Sequence, residues 1–275
     1  MRYTLKEILD LAENGGFAVP AFNVYNLETL IGVVKAAEDT NAPIIIQMYS
    51  RLFDTATGKY MSPAIADAMN SLKTPVAFHL DHGAGITECV RAIRYGTTGI
   101  MIDASTDSLE GNIKITKQAV SIARDAEIDV EGELGHIGSA ANGDEAGAYT
   151  EVADAVRYAE ETGIDALAIM VGTAHGKYKK APVLAIDRIA EIHKGVKAHL
   201  VLHGGSGVPD DQIKAAVKAG IRKINFGTDV CAAFIEGYKE LDPYAAPLDK
   251  TMLKASESVT AFAVEKIKLL GADKA

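Results

Sequence analysis

The chain is predicted to be an α/β protein folded as a single (β/α)8 barrel of the TIM type over residues 1–275, and three observations predict it. Its 275 residues match the roughly 250 of one such barrel. Short apolar or β-branched runs alternate with amphipathic stretches along its whole length. The runs are apolar on both faces, as strands of a parallel sheet covered by helices must be. A doubly wound open sheet is the alternative, since one strand more or fewer separates the two readings.

The first strand is expected at FAVPAFNV (17–24), followed by LETLIGVVKAAEDT, whose apolar residues recur at helical spacing. The second is PIIIQM (43–48) and the third VAFHL (76–80), which leads into the helical pattern ITECVRAIRYG. GIMID (99–103) is the fourth, with LEGNIKITKQAVSIARDA behind it. DVEGEL (129–134) and ALAIMV (166–171) are the fifth and sixth, each running into a long loop, 135–150 and 172–182. HLVLH (199–203) precedes the helix PDDQIKAAVKAG, and KINF (223–226) completes the eight. No linker rich in Pro, Ser or Gly divides them.

The net charge of −9 is dispersed and no Lys/Arg block stands out, which excludes the electrostatic footprint of a nucleic-acid partner. Cys89 and Cys231 sit in apolar helical stretches and are expected to be buried thiols in a reducing compartment. The N-terminal MRYTLKEILDLAENGG alternates charge with apolar residues, unlike a signal peptide, and no run is long enough to cross a bilayer. A cytoplasmic protein without membrane partners is expected.

Working residues of a barrel stand where strands end, and here those ends are polar. The third strand ends in Asp81-His82-Gly83, the fourth in Asp103, the fifth in Glu131 and Glu133, the sixth in Gly172 to Gly176, and the seventh in His203-Gly204-Gly205-Ser206-Gly207. His82, His175 and His203 each precede a glycine at such an end. One of them alone reads as a core or capping residue, but three at equivalent positions can supply the ligands of a catalytic zinc. Asp81 is read as an acid/base held ionised by the neighbouring cation, or else as a carboxylate that only orients His82. Glu133 and Asp103 are either further metal ligands, orienting groups or salt-bridge partners. His79 is expected to be a packed barrel residue, His136 a loop residue, and His193 and His199 surface residues. HGGSG and NFGT, after the last two strands, expose backbone N–H groups suited to a phosphate.

With these residues assembled, the chain resembles the class II (metal-dependent) fructose-bisphosphate and tagatose-bisphosphate aldolase family, through PAFNVYNLET, HLDHG, MIDAS, VEGELGHIG, GTAHGKY, LVLHGGSGVP, KINFGTD and EKIKLLGADKA in order. The resemblance implies that His82, His175 and His203 bind Zn²⁺, with Glu133 and Asp103 holding the metal in alternate positions, and that Asp81 is the acid/base on the C4 hydroxyl. It implies that Gly176, Gly204, Gly205, Ser206 and the run Asn225, Phe226, Gly227, Thr228 hold the dihydroxyacetone-phosphate half of a phosphosugar. Asn23 lines the same pocket and a monovalent cation, Na⁺ or K⁺, lies nearby. It also implies a homodimer or homotetramer.

Three positions depart from the family pattern. The loop that carries a proton-transferring glutamate in relatives reads Gly138 to Gly143 here, which leaves Asp144 or Glu145 as substitutes. Gly227 stands where fructose-bisphosphate members have an aspartate. Ser256 aligns with the arginine that relatives use for the distal phosphate. The expected activity is reversible cleavage of a ketose 1-phosphate, with fructose 1,6-bisphosphate a poor substrate unless Lys177, Lys179, Lys180 or a neighbouring subunit's lysine replaces that arginine. Its alternatives are an aldolase for a non-phosphorylated tail, such as a deoxy sugar or a sugar acid, and a catalytically weak sugar-phosphate-binding relative.

Overall fold

In the computed structural model, which describes residues 1–138, 147–176, 178, 180–239 and 247–275, eight parallel strands close into one barrel, each pairing with its predecessor and the last with the first. They are β1 (Val19–Asn23), β2 (Ile44–Tyr49), β3 (Val76–Gly83), β4 (Gly99–Ile102), β5 (Asp129–Leu134), β6 (Ala166–Ile169), β7 (His199–Leu202) and β8 (Ile221–Phe226). Closure decides for the barrel over the open sheet. The helices among the described residues are α1 (Leu5–Gly15), α2 (Leu27–Thr40), α3 (Ser50–Phe53), α4 (Ala56–Ser71), α5 (Ile86–Arg94), α6 (Leu109–Asp125), α7 (Val152–Thr162), α8 (Ile186–Gly195), α9 (Asp210–Ala219), α10 (Thr228–Lys239) and α11 (Leu248–Leu270). None is long and apolar enough to cross a membrane.

Local chemistry starts and stops these helices. Thr4 accepts from Glu7 N while the Glu7 carboxylate accepts from Thr4 N, a reciprocal cap for α1, and Gly16 ends that helix in the left-handed region at φ 68°. Asn26 caps α2 in the same way through Thr29. Such a cap contributes about 1 kcal/mol. The buried face of α1 is Leu5, Ile8, Leu9 and Ala12, which closes the end of the barrel where the strands begin. A Cβ on Gly99 would stand 2.7 Å from Leu5 Cβ, so glycine is needed where this plug meets β4.

Polar clamps hold the plug. Asp129 accepts from Lys6 N at 2.6 Å, Arg222 donates to Glu13 at 2.8 Å, and a His199 ring nitrogen lies 2.8 Å from Asp10. His199 is therefore a largely buried first residue of β7, not the surface residue expected, because α1 covers it. His193, on α8, lies 3.3 Å from Glu13. Cys89 is buried as expected, but Cys231 is only half-buried.

The interior departs from an apolar filling. Gln47, His79, Glu131 and Lys223, on β2, β3, β5 and β8, are all wholly buried, and they form a polar layer beneath the rim where strands end. β3 continues past Leu80 through Gly83, with an irregular register against β4 between those residues. That extension carries Asp81 and His82 onto the sheet, with Asp81 in register with Tyr49.

Candidate active site

The three histidines meet at the rim. The ring centroid of His82 lies 4.9 Å from that of His175 and 4.8 Å from that of His203, and His175 and His203 are 5.8 Å apart. His82 reaches inward from a left-handed backbone, φ 52°, a conformation costing a residue with a Cβ on the order of 1 kcal/mol. Its Nδ1 lies 2.8 Å from Asp103 Oδ2, so Nε2 points to the centre, 3.2 Å from His203 Nδ1. His203 is set the same way by its other nitrogen, 2.8 Å from Glu131 Oε1. Carboxylate backing of this kind fixes which imidazole nitrogen is offered inward.

The donor set fits a metal ion. Zinc with Zn–N bonds of about 2.0–2.1 Å requires ligand nitrogens roughly 3.3 Å apart. One ligand atom from each of His82, His175 and His203 lies within 4.8 Å of the others, and the same holds for His82, Asp103 and Glu133. Among the described residues, His175 Nε2 and Glu133 Oε2 are buried with no hydrogen-bond partner, a costly state that a metal would relieve. Burial, then the charges of His82 and His203, push His175 down to about 3, so it is neutral with lone pairs available. Burial opposes protonation of His82 too, but Asp81, Asp103 and Glu133 outweigh it and raise this imidazole to about 10. Glu133, 3.5 Å from His203 Nδ1, is raised to about 8 by burial and by Asp103.

The hydrogen-bond partner of His82 Nδ1 is Asp103, not the neighbouring Asp81. The Asp81 carboxylate instead accepts from Asn23 Nδ2 at 2.7 Å and Asn225 Nδ2 at 3.1 Å, with Oδ1 3.9 Å from His82 Nε2. Both amides are themselves aligned, Asn23 by Gln47 Nε2 at 2.9 Å and Asn225 by Lys223 Nζ at 2.8 Å. Burial opposes ionisation of Asp81, yet the charges of His82, His203 and Lys223 and the Asn23 hydrogen bond hold its pKa below the ordinary carboxylate value.

Beside Asp81 lies a recess lined by Gly176, Gly204, Ser206, Asn225, Gly227 and Thr228. Gly204 takes φ 64°, and a Cβ there would stand 2.4 Å from Ala174 O. Gly205 is equally tight, 2.5 Å from Ile224 Cγ2. Thr228, which lines the recess, opens α10, so the N-terminal end of that helix lies at this side. Ser206 Oγ accepts from Asp229 N at 3.2 Å. Phe226 departs from expectation: its ring packs on Phe22 and Phe262, 6.0 and 6.1 Å away, behind the barrel wall.

The cleft above the histidines, about 490 Å³, is lined by residues the strand-end reading missed, Tyr25, Tyr49, Arg51 and Cys231. Tyr25 follows β1, Tyr49 is the last residue of β2, Arg51 lies on α3 and Cys231 on α10, and no local motif marks them. Gly227 belongs with them: a Cβ there would lie 3.1 Å from the Tyr49 hydroxyl and 3.2 Å from that of Tyr25. His136 also lines the cleft, its Nδ1 3.4 Å from Ser105 Oγ. Ser256 is elsewhere, buried on α11 against α2, its Oγ donating to Met252 O at 3.2 Å. Asp144, Glu145, Lys177 and Lys179 lie outside the described residues.

A closed parallel barrel carrying this rim defines a class, the metal-dependent (β/α)8 enzymes. Within it, residues 3–275 match the family model of class-II fructose-bisphosphate aldolases; the chain belongs to that family and is a metal-dependent aldolase. It is 37% identical over 275 residues to the sulfofructosephosphate aldolase of Alkalicoccus urumqiensis, across 98% of this chain and 96% of that protein. It is 37% identical over 266 residues to YdjI of Escherichia coli (strain K12), across 95% of each. The X-ray crystal structure of the YdjI aldolase superposes with a TM-score of 0.91 at 33% identity, over 99% of this chain and 98% of that one.

Proposed function

We propose that the enzyme catalyses reversible cleavage of a ketose 1-phosphate to dihydroxyacetone phosphate and an aldehyde, with Zn²⁺ held by His82, His175 and His203. The observation that carries this reading is the Asp81 carboxylate, buried, ionised and held by two amides beside the histidine cluster and the glycine-lined recess. Three imidazoles with an open position favour zinc over harder ions. When bound, the metal supplies Lewis-acid stabilisation of the negative charge that the dihydroxyacetone-phosphate half develops.

The chain's own residues do the rest. Gly176, Gly204, Ser206 and Thr228 bind the C1 phosphate through N–H and hydroxyl donors, while Gly205, whose own N–H donates to Asn225 O at 3.2 Å, shapes the turn between them, and this anchoring orients the reacting carbons. Asp81 accepts the C4 hydroxyl proton as the C3–C4 bond breaks, the C4 oxygen leaves as the aldehyde carbonyl, and the bonding pair passes to C3 of the dihydroxyacetone-phosphate half, which takes a proton there before release, with Asp144 or Glu145 the candidate acids in the sequence. In condensation the same carboxyl returns the proton. Asn23 and Asn225 keep the carboxylate aimed while it changes charge. Glu133 and Asp103 stand by the cluster, and of the two Asp103 serves as the group that orients His82.

The test is a panel of ketose 1-phosphates assayed for dihydroxyacetone phosphate release, before and after chelation and after zinc is restored. Release that is abolished by the chelator and restored by zinc is expected. Full turnover by metal-free protein, or no release from any ketose 1-phosphate, overturns the reading.

A further inference from the structure

We infer that Arg51 forms an oxyanion subsite for the far end of the ketose, so that the enzyme selects substrates ending in a charged group, be it a phosphate, a sulfonate or a carboxylate. The inference rests on the aldolase reading above for the direction in which the substrate lies.

Two anchors set that direction. The C1 phosphate occupies the glycine recess, and the C4 hydroxyl meets Asp81. Carbons beyond C4 therefore leave the recess and enter the cleft above His82. The wall they meet carries Tyr25, Tyr49 and Arg51. Arg51 Cζ stands 4.3 Å above the Tyr49 ring, and that ring stacks on His82 at 6.1 Å, so the guanidinium is held within about 10 Å of the metal-binding imidazole. Three bonds of extended chain cover about 3.8 Å, so carbons four to six, a terminal oxyanion and the fork of an arginine bridge such a gap.

The guanidinium is also available. Among the described residues it makes no hydrogen bond or ion pair, although carboxylates are close in sequence and in the cleft. Asp54 pairs with Arg91 at 3.2 Å, and Asp103 is taken by His82 and by Ser105, whose Oγ donates to it at 2.8 Å. The aromatic face beneath Arg51 limits its rotamers without using its N–H donors, leaving a planar fork suited to bidentate recognition of an oxyanion. On this inference the distal anion that Ser256 leaves without an arginine is met from α3 instead.

The test compares kcat/KM for ketose 1-phosphates that differ only at the far end, phosphate, sulfonate, carboxylate or hydroxyl, in the wild type and in Arg51→Gln and Arg51→Lys. The wild type is expected to prefer at least one anionic tail, and Arg51→Gln to reduce the anionic-to-neutral ratio by roughly 10–100-fold, the value of a charge-assisted hydrogen bond. Arg51→Lys, a point charge without the fork, recovers only part of the ratio. The anionic arms tell which oxyanion fits. An unchanged ratio in Arg51→Gln overturns the proposal. Calorimetric binding of the same compounds to zinc-loaded Asp81→Asn and to Asp81→Asn/Arg51→Gln separates this from failure of the aldolase reading. If nothing is cleaved but Asp81→Asn binds the charged tail tighter and the double variant does not, the subsite stands; equal affinity for charged and neutral tails removes it.

Discussion

Lys223 Nζ stands 2.8 Å from Glu131 Oε2 in the middle of the barrel, with both side chains wholly buried. The pair joins the two halves of the site: Lys223 also donates to Asn225, which holds Asp81, and Glu131 also meets His203. Removing one partner leaves a buried charge uncompensated. Lys223→Met is expected to lower the unfolding free energy by about 3–5 kcal/mol, and Lys223→Met/Glu131→Gln to cost less than the sum of the two single changes. Denaturant titration of the four proteins checks both statements; strict additivity would show that the pair is not coupled.

The zinc affinity of the metal-free enzyme is expected to increase with pH. His82, raised to about 10, carries a proton near neutrality that a metal-bound imidazole cannot keep, whereas His175, lowered to about 3, carries none. Binding therefore releases a proton from His82 throughout the neutral range, and Kd falls by roughly tenfold per pH unit between pH 6 and 8. Competition against a chelating indicator at several pH values measures the slope. A flat profile would mean that His82 is already neutral.

Asp81 and Asp103 are expected to separate cleanly. Asp81→Ala keeps near-normal zinc and loses roughly 10²–10⁴-fold in kcat, the contribution of a positioned acid/base. Asp103→Ala frees the outer nitrogen of His82 and weakens zinc binding by roughly 10–100-fold, with activity returning at higher zinc. Metal analysis beside kcat at varied zinc tells them apart. Loss of zinc in Asp81→Ala would move the orienting role back to Asp81.

Gly227→Asp is expected to be poorly accommodated, although the family resemblance places an aspartate there in fructose-bisphosphate members and a small residue in tagatose-type ones. Its Cβ would crowd Asn23 Oδ1 and the Tyr49 hydroxyl at 3.1 Å, and the carboxylate would extend into the same wall. A stability loss of about 1–3 kcal/mol is expected from the crowding, together with a fall in kcat as Asn23 shifts against Asp81. Gly227→Asp/Tyr49→Phe, which removes one hydroxyl, recovers part of the stability. Thermal unfolding of both proteins decides it; no loss in the single variant would show that the tyrosines swing aside.

Features with a local cause could be read from the residues alone. Strand and helix periods repeat along one segment, so all eight strands were legible, and Asp81, His82, His175 and His203 were legible because a strand end is itself a local landmark. Choice of partner depends on distances between segments far apart in the chain, and only the tertiary structure decided it. Asp81 adjoins His82 in sequence, yet the left-handed turn at His82 sends its Nδ1 to Asp103, just past the end of β4, and leaves Asp81 to the two asparagines. Lys223 sits wholly buried in β8, and its charge is tolerated there because closure of the barrel brings Glu131 to it. Arg51 carries no motif at all. Its place in the cleft follows from packing on Tyr49, which barrel register sets beside Asp81.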